Sequence, residues 1–187
     1  SARRAMYSTE GQFAEPEGNV PAGIADRSPA EIRDVSATST YVGYVVHEGV
    51  PQAVYWQYES RGRKAYVLDP LSSPPVASEA NAVTPDSVYT VGYTEKWGAS
   101  RAFRWTTAGG MQDLGALGAG GTSVAYGISN DGSIVVGGAS ATADGPRRAF
   151  RWTASGMQSL GALGADGEET VALAISGDGA TIVGASE

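Results

Sequence analysis

The sequence predicts an all-β chain built from four copies of one unit, and three observations carry that reading. Internal similarity returns at a fixed interval. Ala102-Phe-Arg-Trp105 and Ala149-Phe-Arg-Trp152 lie 47 residues apart, and Gly110-Met-Gln-Asp-Leu-Gly-Ala-Leu117 returns as Gly156-Met-Gln-Ser-Leu-Gly-Ala-Leu163. Short β-branched or aromatic runs (Tyr89-Thr-Val91, Ile134-Val-Val136, Thr181-Ile-Val183) alternate with turn chemistry such as Asn130-Asp-Gly132 and Gly177-Asp-Gly179. No stretch of normal helix length places apolar residues at i, i+3, i+4 and i+7.

The units begin at Ala5, Ala53, Ala102 and Ala149, with spacings of 48, 49 and 47, so they run 5–52, 53–101, 102–148 and 149–187. The two earlier copies are fainter. Ala53-Val-Tyr-Trp56 follows Tyr41-Val-Gly-Tyr44 as Ala102 follows Tyr89-Thr-Val-Gly-Tyr93, and Arg3-Arg-Ala-Met-Tyr7 echoes Arg147-Arg-Ala-Phe-Arg151. One unit reads as four strands: Val124–Ser129, a tight turn, Ser133–Gly138, a loop, Arg148–Thr153 and Met157–Leu160. Alternation puts Phe103 and Trp105 on one strand face, and likewise Phe150 and Trp152, and Val54 and Trp56. A sheet this small cannot bury both faces alone. Radial stacking covers them, which predicts one small β-propeller domain over 1–187 with blades near 31–70, 78–117 and 122–163. The fourth blade is expected from residues 1–15 joined to 170–187, a two-plus-two clasp of N- and C-terminal strands. Its rival is an end-exchanged dimer in which two chains build an eight-bladed ring.

Composition bounds the function. The 187 residues carry 13 Lys and Arg against 20 Asp and Glu, a net charge of −7. Nucleic acid is therefore a poor partner, because phosphate backbones are held by clustered basic side chains. Cysteine is absent, which excludes disulfides, thiolate zinc sites and thiol nucleophiles together. Hydrophobic residues at 42% and charged residues at 18% exclude a disordered chain. No apolar run reaches the ~18 residues of a membrane-spanning helix. Ser1-Ala-Arg-Arg-Ala-Met6 is not followed by the apolar segment of a signal peptide, although a trimmed mature form keeps secretion open.

The units resemble the HAF family of bacterial extracellular repeats, read loosely as Ala-Phe-(Leu/Arg)-Trp, Gly-Met-x-Asp-Leu-Gly-x-Leu-Gly and Ser-x-Ala-x-x-Ile-(Ser/Asn)-x-x-Gly-x-Val-Val-Gly. Residues 102–137 carry nearly all of it: Ala102-Phe-Arg-Trp105, Gly110-Met-Gln-Asp-Leu-Gly-Ala-Leu-Gly118, Ser123, Ala125, Ile128-Ser129, Gly132 and Val136-Gly137. Residues 149–184 carry most of it, with Ser159 where Asp113 stands; in the first hundred residues it is faint, with Ser8 in place of the tryptophan. The resemblance implies a secreted or cell-surface setting in bacteria and supplies no catalytic residues.

Repetition separates packing residues from candidate contacts. Trp56, Trp105 and Trp152 recur in step and are expected in the core. Asp131 and Asp178 are expected to close turns, since one carboxylate per turn falls far short of the 6–8 oxygens calcium takes. The run Gly115-Ala-Leu-Gly-Ala-Gly-Gly121 lacks the Gly-Lys-Ser/Thr ending of a phosphate loop. His47 is the sole histidine, and no Gly-x-Ser-x-Gly elbow accompanies it. The copies differ most in the loops between second and third strands, so His47, Glu48, Glu95, Trp97 and Asp144 are the candidate ligand contacts. The expected function is a non-enzymatic extracellular binding, adhesion or scaffold module that takes a glycan or protein on its rim. No catalytic residue, metal ligand or cofactor is expected, with an axial ion held by main-chain carbonyls as the open alternative. The second reading is a propeller glycoside hydrolase or lyase using rim carboxylates, Glu48, Glu95 and Asp144.

Overall fold

The computed structural model describes residues 7–9, 12–14, 18–19, 30–59, 62–68, 76–96, 98–162 and 168–186. These residues form seventeen strands and no helix. Near the N-terminus lie β1 (Tyr7–Thr9), β2 (Gln12–Ala14) and β3 (Gly18–Asn19). An antiparallel meander of β4 (Ala30–Val35), β5 (Tyr41–His47), β6 (Val50–Glu59) and β7 (Gly62–Val67) follows, with β3 adding in parallel to β7. The second meander is β8 (Ser78–Val83), β9 (Thr90–Lys96), β10 (Ala99–Thr106) and β11 (Gly110–Asp113). The third is β12 (Ser123–Ile128), β13 (Val135–Ala139), β14 (Arg148–Thr153) and β15 (Gly156–Ser159). A final hairpin pairs β16 (Thr170–Ile175) with β17 (Ile182–Ser186).

The four-stranded clasp expected from the sequence is not formed by the described strands: β1–β2 and β16–β17 are separate two-stranded sheets. Arg3–Met6, which the clasp would place beside β17, lie outside the described residues. The β1–β2 hairpin nevertheless keeps the repeat register. Tyr7 pairs with Ala14, Ser8 with Phe13 and Thr9 with Gln12, each 144 positions before the pairs Arg151–Gln158, Trp152–Met157 and Thr153–Gly156.

The sheets stack in chain order, β5 and β6 against β8, β9 and β10 against β12, and β13 and β14 against β16. Third-strand aromatics fill the interfaces. Phe103 and Phe150 are fully buried, and Trp56, Trp105 and Trp152 are nearly so, as their periodic spacing predicts. Arg104, between Phe103 and Trp105 on the opposite strand face, lies 4.9 Å from the Tyr89 ring and 4.8 Å from the Trp152 ring. It also donates to the Gly132 carbonyl across the sheet boundary. That guanidinium is a cation–π bridge from the second meander to the third.

Three small devices repeat with the chain. In the turn between first and second strands, a hydroxyl and a carboxylate close the loop. Ser129 Oγ donates to Asp131 Oδ1 and accepts from Ile134 N–H, while Asp131 also accepts from Ser133 N–H. Thr84 with Asp86, and Ser176 with Asp178, repeat the arrangement; at Ser36 the partner is Thr38. A second hydroxyl ties each sheet to the one before it. Ala53 N–H donates to Ser78 Oγ (3.0 Å), Ala102 N–H to Ser123 Oγ (2.9 Å) and Ala149 N–H to Thr170 Oγ1 (2.9 Å). All three hydroxyls are buried, where an unanswered N–H would be costly.

The third device is a bulge in every first strand. Register slips by one residue at Arg33, Asn81, Tyr126 and Leu173, four equivalent positions. Opposite each bulge stands a glycine, Gly43, Gly92, Gly137 and Gly184. A Cβ there would fall 1.8, 1.9, 2.0 and 1.9 Å from the carbonyl oxygens of Glu31, Glu79, Val124 and Val171. Only a residue without a side chain permits that approach.

We expect Gly137→Ala to destabilise the protein by about 3 kcal/mol, the upper end of overpacking costs, because backbone rather than a flexible side chain must give way; chemical denaturation measures it. The Asp131 carboxyl is held down to about 2 by the Ser129 hydroxyl first, then by Ser133. A depressed carboxylate stabilises above its unfolded value of 3.8 and loses that contribution as pH falls through about 2. NMR titration should find the Asp131 midpoint near 2, and thermal stability should decline across that window less steeply in Asp131→Asn.

Candidate functional site

A bulge rotates its extra residue out of the ladder and re-aims the side chain. Here all four bulged residues come from first strands, and three of them, Asn81, Tyr126 and Leu173, line a single cavity of about 540 Å³ together with the fourth, Arg33. Glu79 and Val124, two positions earlier on their strands, share that face, since alternate residues of a strand point the same way. The next strands add Tyr93, Glu95 and Ser100. A volume of this size is in the range of small-molecule sites.

The lining is divided. Charged and hydrogen-bonding groups come from the first two meanders, and Val124, Tyr126 and Leu173 come from the last two sheets. Arg33 is held between two carboxylates, 3.1 Å from Glu31 Oε1 and 3.2 Å from Glu79 Oε2, with its guanidinium 5.7 Å from the Tyr44 ring centroid. Tyr44 O–H donates to Glu31 Oε2 at 3.0 Å. Burial pushes both Tyr44 and Tyr93 up from the ordinary phenol value, reinforced by Glu31 and Glu79 respectively, so both phenols stay protonated donors. Asn81 turns its Nδ2 to the Ala125 carbonyl (2.9 Å), joining the second meander to the third.

Of the candidates read from the sequence, Glu95 lines this cavity. His47 and Glu48 instead form the tight β5–β6 hairpin, where His47 pairs with Val50 and the two turn residues Glu48 and Gly49 have φ of 50° and 82°. Asp144 is exposed in the longer β13–β14 loop, and Trp97 lies outside the described residues. The cavity therefore gathers one predicted residue with others that the sequence reading passed over. Their signal was present: Val124 and Tyr126 fill two of the variable places in the motif Ser-x-Ala-x-x-Ile.

No family model matches the sequence, and no curated protein matches it. Among solved structures, the chain is similar to TolB from Acinetobacter baumannii, with a TM-score of 0.50 and 12% identity over 88% of this chain. TolB is a β-propeller. The fold here is a four-bladed, propeller-like array. The match spans 44% of the TolB chain, so this chain corresponds to less than half the length of that neighbour. In propeller terms the meanders are blades, the first strands are innermost, and the cavity is axial. Among the described residues no helix is long and apolar enough to cross a membrane.

Glu48 occupies a left-handed position that Asn or Gly takes far more readily. Glu48→Asn should raise stability by about 1 kcal/mol, the order of the left-handed penalty it relieves, as read from the denaturation midpoint.

Proposed function

We propose that the protein is a non-enzymatic binding module of the bacterial exterior, and that its glycan or protein ligand seats in the axial cavity. The observation that carries this is the convergence of four equivalent bulged residues, chemically unlike one another, on one cavity within otherwise repeated blades. Packing explains the repeated positions. It does not call for an arginine, an amide, a phenol and an aliphatic chain at four equivalent places. The extracellular setting rests on the resemblance to the HAF repeats.

The hydrolase reading asks for two carboxylates flanking one bond, one of them a proton donor. Two acids, Glu79 and Glu95, do line the cavity. Glu79 is bound by the Arg33 guanidinium and accepts a hydrogen bond from Tyr93, two contacts that occupy its carboxylate. Among the described residues that leaves Glu95 as the one acid of the pair without such ties, and favours binding over turnover.

Glycan and peptide arrays on the intact chain, followed by Tyr126→Ala and Leu173→Ala, test the assignment. We expect each variant to keep its fold and weaken the identified ligand about tenfold or more, the loss of a buried aromatic or aliphatic contact. Unchanged affinity in both, or hydrolysis of a bound glycan, would defeat it.

A further inference from the structure

The first two blades carry the same local arrangement with one difference. In the first, the bulged residue is Arg33; its guanidinium lies near the Tyr44 ring and between the carboxylates of Glu31 and Glu79. In the second, Glu79 stands where Glu31 stood, Tyr93 where Tyr44 stood, and the bulged residue is Asn81. Asn81 carries no charge, and its amide is turned toward Ala125. The same niche is thus built twice around one cation: the Arg33 guanidinium spans both, pairing with Glu31 of the first and Glu79 of the second.

The second niche adds an acid. Glu95 lines the cavity with Tyr93 and Glu79, and Lys96 next to it in sequence pairs with Asp113 at 3.1 Å. Among the described lining residues Arg33 is the sole cation against Glu79 and Glu95. The third and fourth sheets contribute Val124, Tyr126 and Leu173, with Leu173 51% exposed. An incoming group would meet carboxylates, two phenol rings and two aliphatic side chains. That combination matches a cationic head on an apolar stem: carboxylates supply charge-assisted hydrogen bonds, tyrosine faces attract cations, and aliphatic side chains cover methylenes.

We propose that the axial cavity recognises a basic side chain of a polypeptide, an arginine or lysine next to an apolar residue, whose charged group pairs with Glu95 beside Tyr93. This rests on the cavity being the ligand seat and specifies what it takes. A polypeptide is favoured over an amino sugar because the precedent within the chain is itself a guanidinium and two of the three lining residues from the last two sheets are aliphatic. Anionic ligands are disfavoured by the same two carboxylates.

The test uses three capped dipeptides, acetyl-Leu-Arg-amide, acetyl-Leu-Gln-amide and acetyl-Leu-Glu-amide, with glucosamine as the amino-sugar arm. Each is titrated into the intact chain and followed by NMR chemical shifts. We expect the arginine peptide to bind at least about tenfold more tightly than the glutamine peptide, the scale of a charge-assisted pair, and the glutamate peptide most weakly. Glu95→Gln should erase the arginine preference while leaving the glutamine peptide unchanged. Asn81→Arg should place a cation of the chain in the second niche and weaken the arginine peptide by a similar factor, with the fold intact by circular dichroism. Equal affinities for arginine and glutamine peptides, with shifts at Tyr93, Tyr126 and Leu173, would overturn the cation assignment and leave the cavity as the seat. Shifts confined to the β5–β6 turn or the loop around Asp144 would overturn both. Tighter binding of glucosamine than of the arginine peptide would move the cation to a glycan and overturn the polypeptide assignment. No binding by any probe would overturn it as well.

Discussion

One steric contact sets the geometry of every blade: the carbonyl of the second residue in the first strand rests where a glycine opposite has no side chain. Val124 on Gly137 is one of four such pairs. Because the carbonyl can come that close, the first strand absorbs an extra residue, and the register resumes on the far side of the bulge. The glycine weakens its own strand, since it contributes no side-chain packing and carries extra backbone entropy. The fold accepts that weakness in all four units. The compensation lies nearby, in fully buried neighbours such as Val136, Val91 and Val42 just before the glycines.

The hydroxyls at Ser78, Ser123 and Thr170 act on a longer scale. Each accepts the N–H of an alanine in the third strand of the preceding blade. Ser123 and Thr170 also donate to the carbonyls of Gly115 and Gly161, in the segments that lead from one blade to the next. One side chain thus satisfies the crossover and fixes how neighbouring sheets meet. Arg104, beside Tyr89 and Trp152, performs a related task farther along the same interface. Contacts between blades are therefore specific as well as hydrophobic, as expected of small repeats that cannot stand alone.

Much of this was legible in the sequence, for identifiable reasons. The strand limits in the third blade agree with the reading to within one or two residues, because Asn130-Asp-Gly132 and the Phe-x-Trp alternation mark turn and strand unambiguously. The tryptophans were assigned to the core from their period alone. The cavity was harder to see. Differences among the copies mark it, but the informative ones sit inside the most regular strand as well as in the loops. Glu95 was found because it stands at the end of β9, where strand meets loop. Arg33, Asn81, Tyr126 and Leu173 were passed over because a bulge cannot be read from one strand without its partner, and the glycine responsible lies about ten residues farther on. His47 and Glu48 looked like an open loop, yet the pairing of His47 with Val50 leaves only a two-residue turn.

Repetition normally confers degeneracy. Four identical blades would surround an axis with rotational pseudosymmetry, and a guest would face several interchangeable poses. The split between an ionic sector from the first two blades and an aliphatic–phenolic sector from the last two removes that ambiguity. On the proposed binding role, a guest with unlike ends would have a single preferred bearing on the axis, and the blades would dictate the compass direction of whatever it is attached to.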